Sequence, residues 1–190
     1  MKEKELVDSK RGVVRLKTRL GDQRIPLFIR NMENNEAKKE IARRAVNYIK
    51  DGDVIMLDGS TTAYYILMYL EVFKNIMIIT NGAKTALDAA TMGIKTICTG
   101  GELTEESFAY IGVDAEETLK KYNADVAFFS CRGLSEKLAT DTSIFENSLR
   151  KIMMKNAERS ILLCDESKMN KKYLNTLCHT DDVDEVITER

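Results

Sequence analysis

Val54-Ile55-Met56-Leu57-Asp58-Gly59-Ser60-Thr61-Thr62-Ala63 joins a short, continuously apolar run to a second apolar segment ending at Leu70, through one carboxylate, one glycine and three hydroxyls. The first run has strand length, and the second has the length and apolar content of a buried helix. A strand-to-helix turn of this kind brings free N–H groups and the positive end of the helix dipole to one point. A phosphate there gains hydrogen bonds and field together. Ser, Thr and Asp are also favoured helix caps, so a cap and an anion site both fit Asp58–Thr62 taken alone.

Outward from this stretch the chain repeats the same unit. Strand Ile76–Thr80 turns at Asn81-Gly82 into a helix over 83–92, and strand Ile94–Cys98 ends at Thr99-Gly100-Gly101. Upstream, Ala37, Ile41, Ala45 and Ile49 recur every four residues, which predicts a helix capped by Asn34-Asn35 and closed by Asp51-Gly52, with Glu40 paired to Arg44. Downstream, an irregular stretch over 102–112 precedes a helix over 113–121 and strand Asp125–Ser130. A long helix over 143–158 carries Ile144, Phe145, Leu149, Ile152 and Met153 as its apolar face. Strand 160–164 follows it, ending at Asp165-Glu166-Ser167-Lys168, and Val186-Ile187-Thr188 is the last apolar segment. Short apolar strands alternating with helices predict an α/β fold: a Rossmann-like parallel sheet flanked by helices, with right-handed crossovers.

The length of 190 residues fits one domain. Residues 1–24 read as a linker or leader segment and 25–190 as the folded body, with Val13–Leu16 as a candidate strand and Pro26 preceding Leu27-Phe28-Ile29. Residues 1–30 carry nine Lys/Arg against four Asp/Glu, a balance of +5, which leaves −6 for the rest of a chain whose total is −1. An acidic body repels phosphate backbones at long range, so nucleic-acid binding by the body itself is not expected. Cys98, Cys131, Cys164 and Cys178 have no C-x-x-C spacing and read as free thiols in a reducing compartment. His179 is the single histidine, and neither a metal nor a cofactor is expected. Without a signal-like or membrane-spanning apolar run, a cytoplasmic protein is expected.

In an open parallel sheet, ligands bind outside the carboxyl ends of the strands. Five strand ends here run into small or polar residues: Asp58–Thr62, Thr80–Gly82, Thr99–Gly101, Ser130–Gly133 and Asp165–Lys168. Together they predict a pocket for a small anionic polyol. Gly59, Ser60, Thr61 and Thr62 are the phosphate donors, with Lys168 as their cation, and Arg132 is a second basic group. Asp58, Asn81 and Glu146 are assigned to sugar hydroxyls, and Gly100 and Gly101 would let the ligand approach the backbone.

These segments in this order, together with Glu36–Ala42, Asp51–Ile55, Asp125–Phe129 and the pair Glu146 and Arg150, resemble the sugar-sensing C-terminal domain of DeoR-family bacterial transcriptional regulators. The resemblance covers about residues 25–190. It implies a fold similar to ribose-5-phosphate isomerase and CoA-transferases. It also implies a phosphorylated sugar or related metabolite as effector, a repressor of carbohydrate-utilisation genes, and a dimer or tetramer. Operator DNA would be bound through an N-terminal winged helix-turn-helix that this chain does not contain, since the residues before Asn34 are too few to supply its helices. The family's usual Asp-Ser-Gly-Thr-Thr stands here as Asp58-Gly59-Ser60-Thr61-Thr62, and a lysine common four residues after the family glutamate is Arg150. The alternative reading is a sugar-phosphate isomerase with Glu146 as general base. A redox role for the strand-end cysteines Cys98, Cys131 and Cys164 is a third.

Overall fold

The inner apolar runs pair side by side and are buried on both faces, while the two edge strands are partly exposed. In a computed structural model, which describes residues 7–10, 13–16 and 33–190, strands β3 (Val54–Leu57), β4 (Met77–Thr80), β5 (Lys95–Cys98), β8 (Ala124–Ser130), β11 (Ala157–Leu163) and β13 (Glu185–Ile187) form one six-stranded sheet. Its order is β13-β11-β8-β3-β4-β5 and every pairing is parallel. β1 (Val7–Lys10) and β2 (Val13–Leu16) pair antiparallel with each other. Leu27-Phe28-Ile29 and most of the expected linker lie outside the described residues.

Alternation along the strands sorts the core into two layers. Ile55, Leu57, Ile78, Val126, Phe128, Ile161 and Leu163 pack under Ile41 and Ala45 of α1 (Asn35–Ala45) and under Ile66 and Leu70. Met56, Ile79 and Ala127 face the other way, against Ala115 and Leu119 of α4 (Val113–Leu119) and Leu149 and Met153 of α5 (Ile144–Asn156). α3 (Ala83–Thr91) links β4 to β5. Among the described residues no helix is long and apolar enough to cross a membrane.

Several local expectations change. α1 stops at Ala45 and continues as a 3₁₀ turn, Val46–Tyr48, before Ile49 turns extended. Neither asparagine caps it by a side-chain bond: Asn34 sits at φ 54, and Asn35 Oδ1 accepts from the Tyr65 hydroxyl at 2.9 Å. Glu40 pairs with Arg43, whereas Arg44 Nη1 donates to the Thr188 carbonyl at 2.7 Å. The helix after Asp58 is α-helical only over Thr61–Tyr64 (α2) and 3₁₀ over Tyr65–Val72. Since 3₁₀ winding rises about 2.0 Å per residue against 1.5 Å, this segment gains about 4 Å of reach toward the start of β4. On α5, Ile144 and Phe145 are exposed, and the buried side of its first turns is polar, occupied by Asn147 and Arg150.

The stretch between β5 and α4 contains a hairpin, β6 (Glu102–Leu103) with β7 (Tyr110–Ile111). A second sheet, ordered β12-β10-β9, joins Asn175–His179, Leu138–Asp141 and Gly133–Leu134 in antiparallel pairs. It packs on Phe129 and Leu162 and raises a wall beside the carboxyl ends of β8 and β11.

Candidate functional site

The carboxyl ends of β3, β8 and β11 open into a cavity of about 160 Å³, walled by α1 at Lys38, by β10 at Asp141, by α5 at Glu146 and Arg150, and by the turn after β11. Of the residues singled out in the sequence, Ser60, Thr61, Thr62, Arg132, Glu146 and Lys168 line it. Lys168 reaches its floor from a 3₁₀ turn, Glu166–Lys168. Its Nζ lies 2.9 Å from Ser130 Oγ, 3.2 Å from Thr62 Oγ1 and 3.2 Å from Asp165 Oδ2. Ser130 Oγ donates to the Leu163 carbonyl at 2.6 Å, so it accepts from Lys168.

The turn at Asp58 uses its donors unequally. The Gly59 N–H goes to Asn81 Oδ1 at 2.9 Å and the Ser60 N–H to Asp58 Oδ1 at 3.1 Å, while Ser60 Oγ caps the helix by accepting from Ala63 N at 3.1 Å. Among the described residues no acceptor meets the amides of Thr61 and Thr62. Gly59 is glycine because a Cβ there would stand 2.6 Å from Ala109 Cβ. The order Gly59-Ser60 therefore serves packing on the far side of the turn and leaves the serine as cap. A recess on that far side, between Gly82 and Phe108, measures about 10 Å³, which holds no more than one water.

Asp58 does not face the cavity as a free acceptor. It is 1% exposed, and its Oδ2 accepts from Ser130 N at 3.3 Å and Arg150 Nε at 2.8 Å. Asn81, also buried, accepts from Gly59 and donates Nδ2 to the Tyr110 carbonyl at 3.0 Å. Gly100 and Gly101 follow β5, two strands removed from β3. Gly101, at φ 106, packs on the Ile111 carbonyl and Ala115 and is not brought to the cavity.

Arg150 organises the wall. Its guanidinium holds three carboxylates at 2.8 Å each: Asp58 through Nε, Asp141 through Nη1 and Glu146 through Nη2. Burial alone would lower its pKa, but Asp141, Asp58 and Glu146 outweigh that and hold it above the ordinary arginine value. Burial likewise pushes the Asp141 carboxyl up, and Arg150 and Arg132 overcome this and hold it below its usual range. Glu146 Oε1 accepts from Ser107 Oγ at 2.8 Å, so both of its oxygens are engaged.

Residues that sequence reading did not select complete the site. Asp165 Oδ1 accepts from Asn34 Nδ2 at 3.3 Å and from Ser167 Oγ. Its buried Oδ2 faces Lys168 without hydrogen-bond geometry. Burial would raise the Asp165 carboxyl, but Lys168 and Ser167 hold it low. Lys38 is 3% exposed and donates to the Glu33 carbonyl at 2.7 Å. The spacing Glu146-x-x-x-Arg150 was a readable sign of one wall.

A family model described as the DeoR C-terminal sensor domain matches residues 33–190. The uncharacterized HTH-type transcriptional regulator YulB of Bacillus subtilis is 33% identical over 190 residues, covering 99% of this chain and 72% of that protein. The L-fucose operon activator of Escherichia coli is 30% identical over 166 residues, covering 86% of this chain and 68% of its own length. Among solved structures, ribose 5-phosphate isomerase A from Methanocaldococcus jannaschii aligns with a TM-score of 0.53 at 22% identity, over 72% of this chain and 55% of that one. The last likeness is one of fold.

Proposed function

The chain belongs to the DeoR C-terminal sensor domain family, and from that membership we propose that it is the effector-binding part of a carbohydrate-responsive transcriptional regulator, taking a phosphorylated sugar or related metabolite in the Lys168 cavity. The phosphate lies between Lys168 Nζ and the Thr61 and Thr62 amides. The sugar extends toward Glu146 and Arg132, and the undonated Asp165 Oδ2 accepts from a hydroxyl. One observation carries this reading: a lysine ammonium held by Thr62 and Ser130 at the cavity floor, beside two backbone N–H groups that meet no acceptor among the described residues. Binding shifts the balance between two arrangements of a homodimer or homotetramer in the cytoplasm. It thereby alters operator affinity in a helix-turn-helix module of the full-length regulator, commonly a repressor, and a coupling of about 1–3 kcal/mol suffices.

The isomerase reading needs Glu146 as a free base, whereas Ser107 and Arg150 occupy both of its oxygens; likeness of fold does not supply the reaction. A thermal-shift panel of phosphorylated sugars, each beside its unphosphorylated counterpart, tests the proposal. At 100 times its Kd a ligand stabilises by about 2.7 kcal/mol, which moves Tm by roughly 5–11 °C for a domain of this size. If phosphorylated compounds shift Tm no more than their parent sugars, the phosphate assignment fails.

A further inference from the structure

One nucleophilic side chain in the cavity wall, Cys131, and a second buried behind it, Cys164, have no part in the proposed effector binding. β8 and β11 are in parallel register up to Ser130↔Leu163, and the next residue on each is a cysteine, Cys131 and Cys164. Adjacent strands lie about 4.7–4.9 Å apart, within the Cα separation of about 4.4–6.8 Å that a disulfide spans. Side-chain alternation agrees. Phe129 and Leu162 are paired on one face, and Cys131 and Cys164, two residues on, share that face and its apolar cluster. Cys164 is fully buried, while Cys131, 3% exposed, borders the cavity. Cys98 is excluded from the pair: it is exposed at the end of β5, with β4 and β3 between it and β8. Cys178 belongs to the same cluster but enters it from β12 in the second sheet.

We propose that Cys131 and Cys164 are an oxidisable dithiol site, closed to a disulfide by a small hydroperoxide that enters through the cavity. The Cys131 sulfur attacks one peroxide oxygen; the O–O bond breaks, Cys131 becomes a sulfenic acid, and the other oxygen leaves as water or the parent alcohol after taking a proton. The Cys164 sulfur then attacks Cys131 Sγ, the S–O bond breaks, and water leaves with the Cys164 proton. Two thiols lose two hydrogens and the peroxide is reduced by two electrons. The neighbouring Cys164 thiol, with Lys168 and Arg150, holds the Cys131 thiol below its ordinary value against the effect of burial, while Cys164, whose Sγ donates to the Asp165 carbonyl at 3.6 Å, is pushed up by Cys131 and by burial. Cys131 is therefore the sulfur that attacks first. The bridge closes beside Ser130, whose Oγ is 2.9 Å from Lys168 Nζ, and so in the wall of the effector site.

Hydrogen peroxide tests this without any effector. In a Cys98→Ser background the folded protein has three thiols, and after peroxide a count in denaturant is expected to fall from three to one and to return to three with a reductant. Peptide mapping should join Cys131 to Cys164, and adding Cys131→Ser should leave both remaining thiols intact. A bridge that includes Cys178, a count that stays at three in folded protein, or Cys131 driven to sulfinic acid while Cys164 stays reduced would each overturn the proposal. Since effector binding enters none of these readouts, failure here is separate from failure of the sensor reading.

Discussion

Arg150→Met removes the one guanidinium shared by Asp58, Asp141 and Glu146. Taking away one partner of a buried ion pair costs about 3–5 kcal/mol when the charge left behind is neither paired nor hydrated; that applies to Asp58, whereas Asp141 keeps Arg132 at 3.5 Å. Glu146 has the most exposed side chain of the three carboxylates, 14% against 2% for the side chains of Asp58 and Asp141, and can turn to water. The total is therefore expected to stay near about 3–5 kcal/mol rather than multiply by three. The pH dependence gives the sharper signature. In the wild type Asp141 is held low, so its contribution is present above the unfolded value of about 3.9 and is lost as pH falls through the still lower folded value. In the variant, burial is no longer opposed by Arg150, Asp141 shifts upward, and the variant recovers relative stability as it protonates. Urea unfolding at pH 7 and pH 4 should show a large gap in midpoint that narrows at the lower pH. A loss below about 1 kcal/mol, the level of a surface pair, or a gap equal at both pH values would refute the network. Arg150→Lys, a point charge in place of a fork, should fall between the two.

Gly59→Ala puts a Cβ 2.6 Å from Ala109 Cβ, and such overpacking is expected to lower stability by about 1–3 kcal/mol by urea unfolding, partly restored by Ala109→Gly. Asn81→Ala leaves the Gly59 N–H and the Tyr110 carbonyl without their side-chain partner; about 1–3 kcal/mol for each group left unpaired should appear in the same assay, while a loss near zero would mean that water replaces the amide. A coupled isomerisation assay on pentose and hexose phosphates should find no turnover in the wild type, and turnover that Glu146→Gln abolishes would replace the sensor with an enzyme.

The parallel sheet was legible because its strands are continuous apolar runs, and the rim because each of five runs ends in small or polar residues. Contacts between distant segments were not legible. Asp58 pairs with Arg150 across 92 positions, so a carboxylate beside a phosphate-like turn read as a sugar acceptor when its charge is already taken. Asn34 reads as a helix cap but reaches Asp165 and Ser167, more than 130 residues away. The second sheet was missed because its strands have two to five residues, too few for periodicity to register. Ile144 and Phe145 fit the apolar stripe of α5, yet they precede the part of the helix that meets the sheet, and the face beneath them belongs to the polar cavity.

In the proposed site Lys168 grips the phosphate of the effector. Isothermal titration of a phosphorylated sugar that stabilises the wild type, repeated on Lys168→Ala, measures this directly. The expected loss is about 1.5–3 kcal/mol, or about 10- to 150-fold in Kd, with the variant still folded. Equal affinity in the two proteins would take Lys168 out of the site.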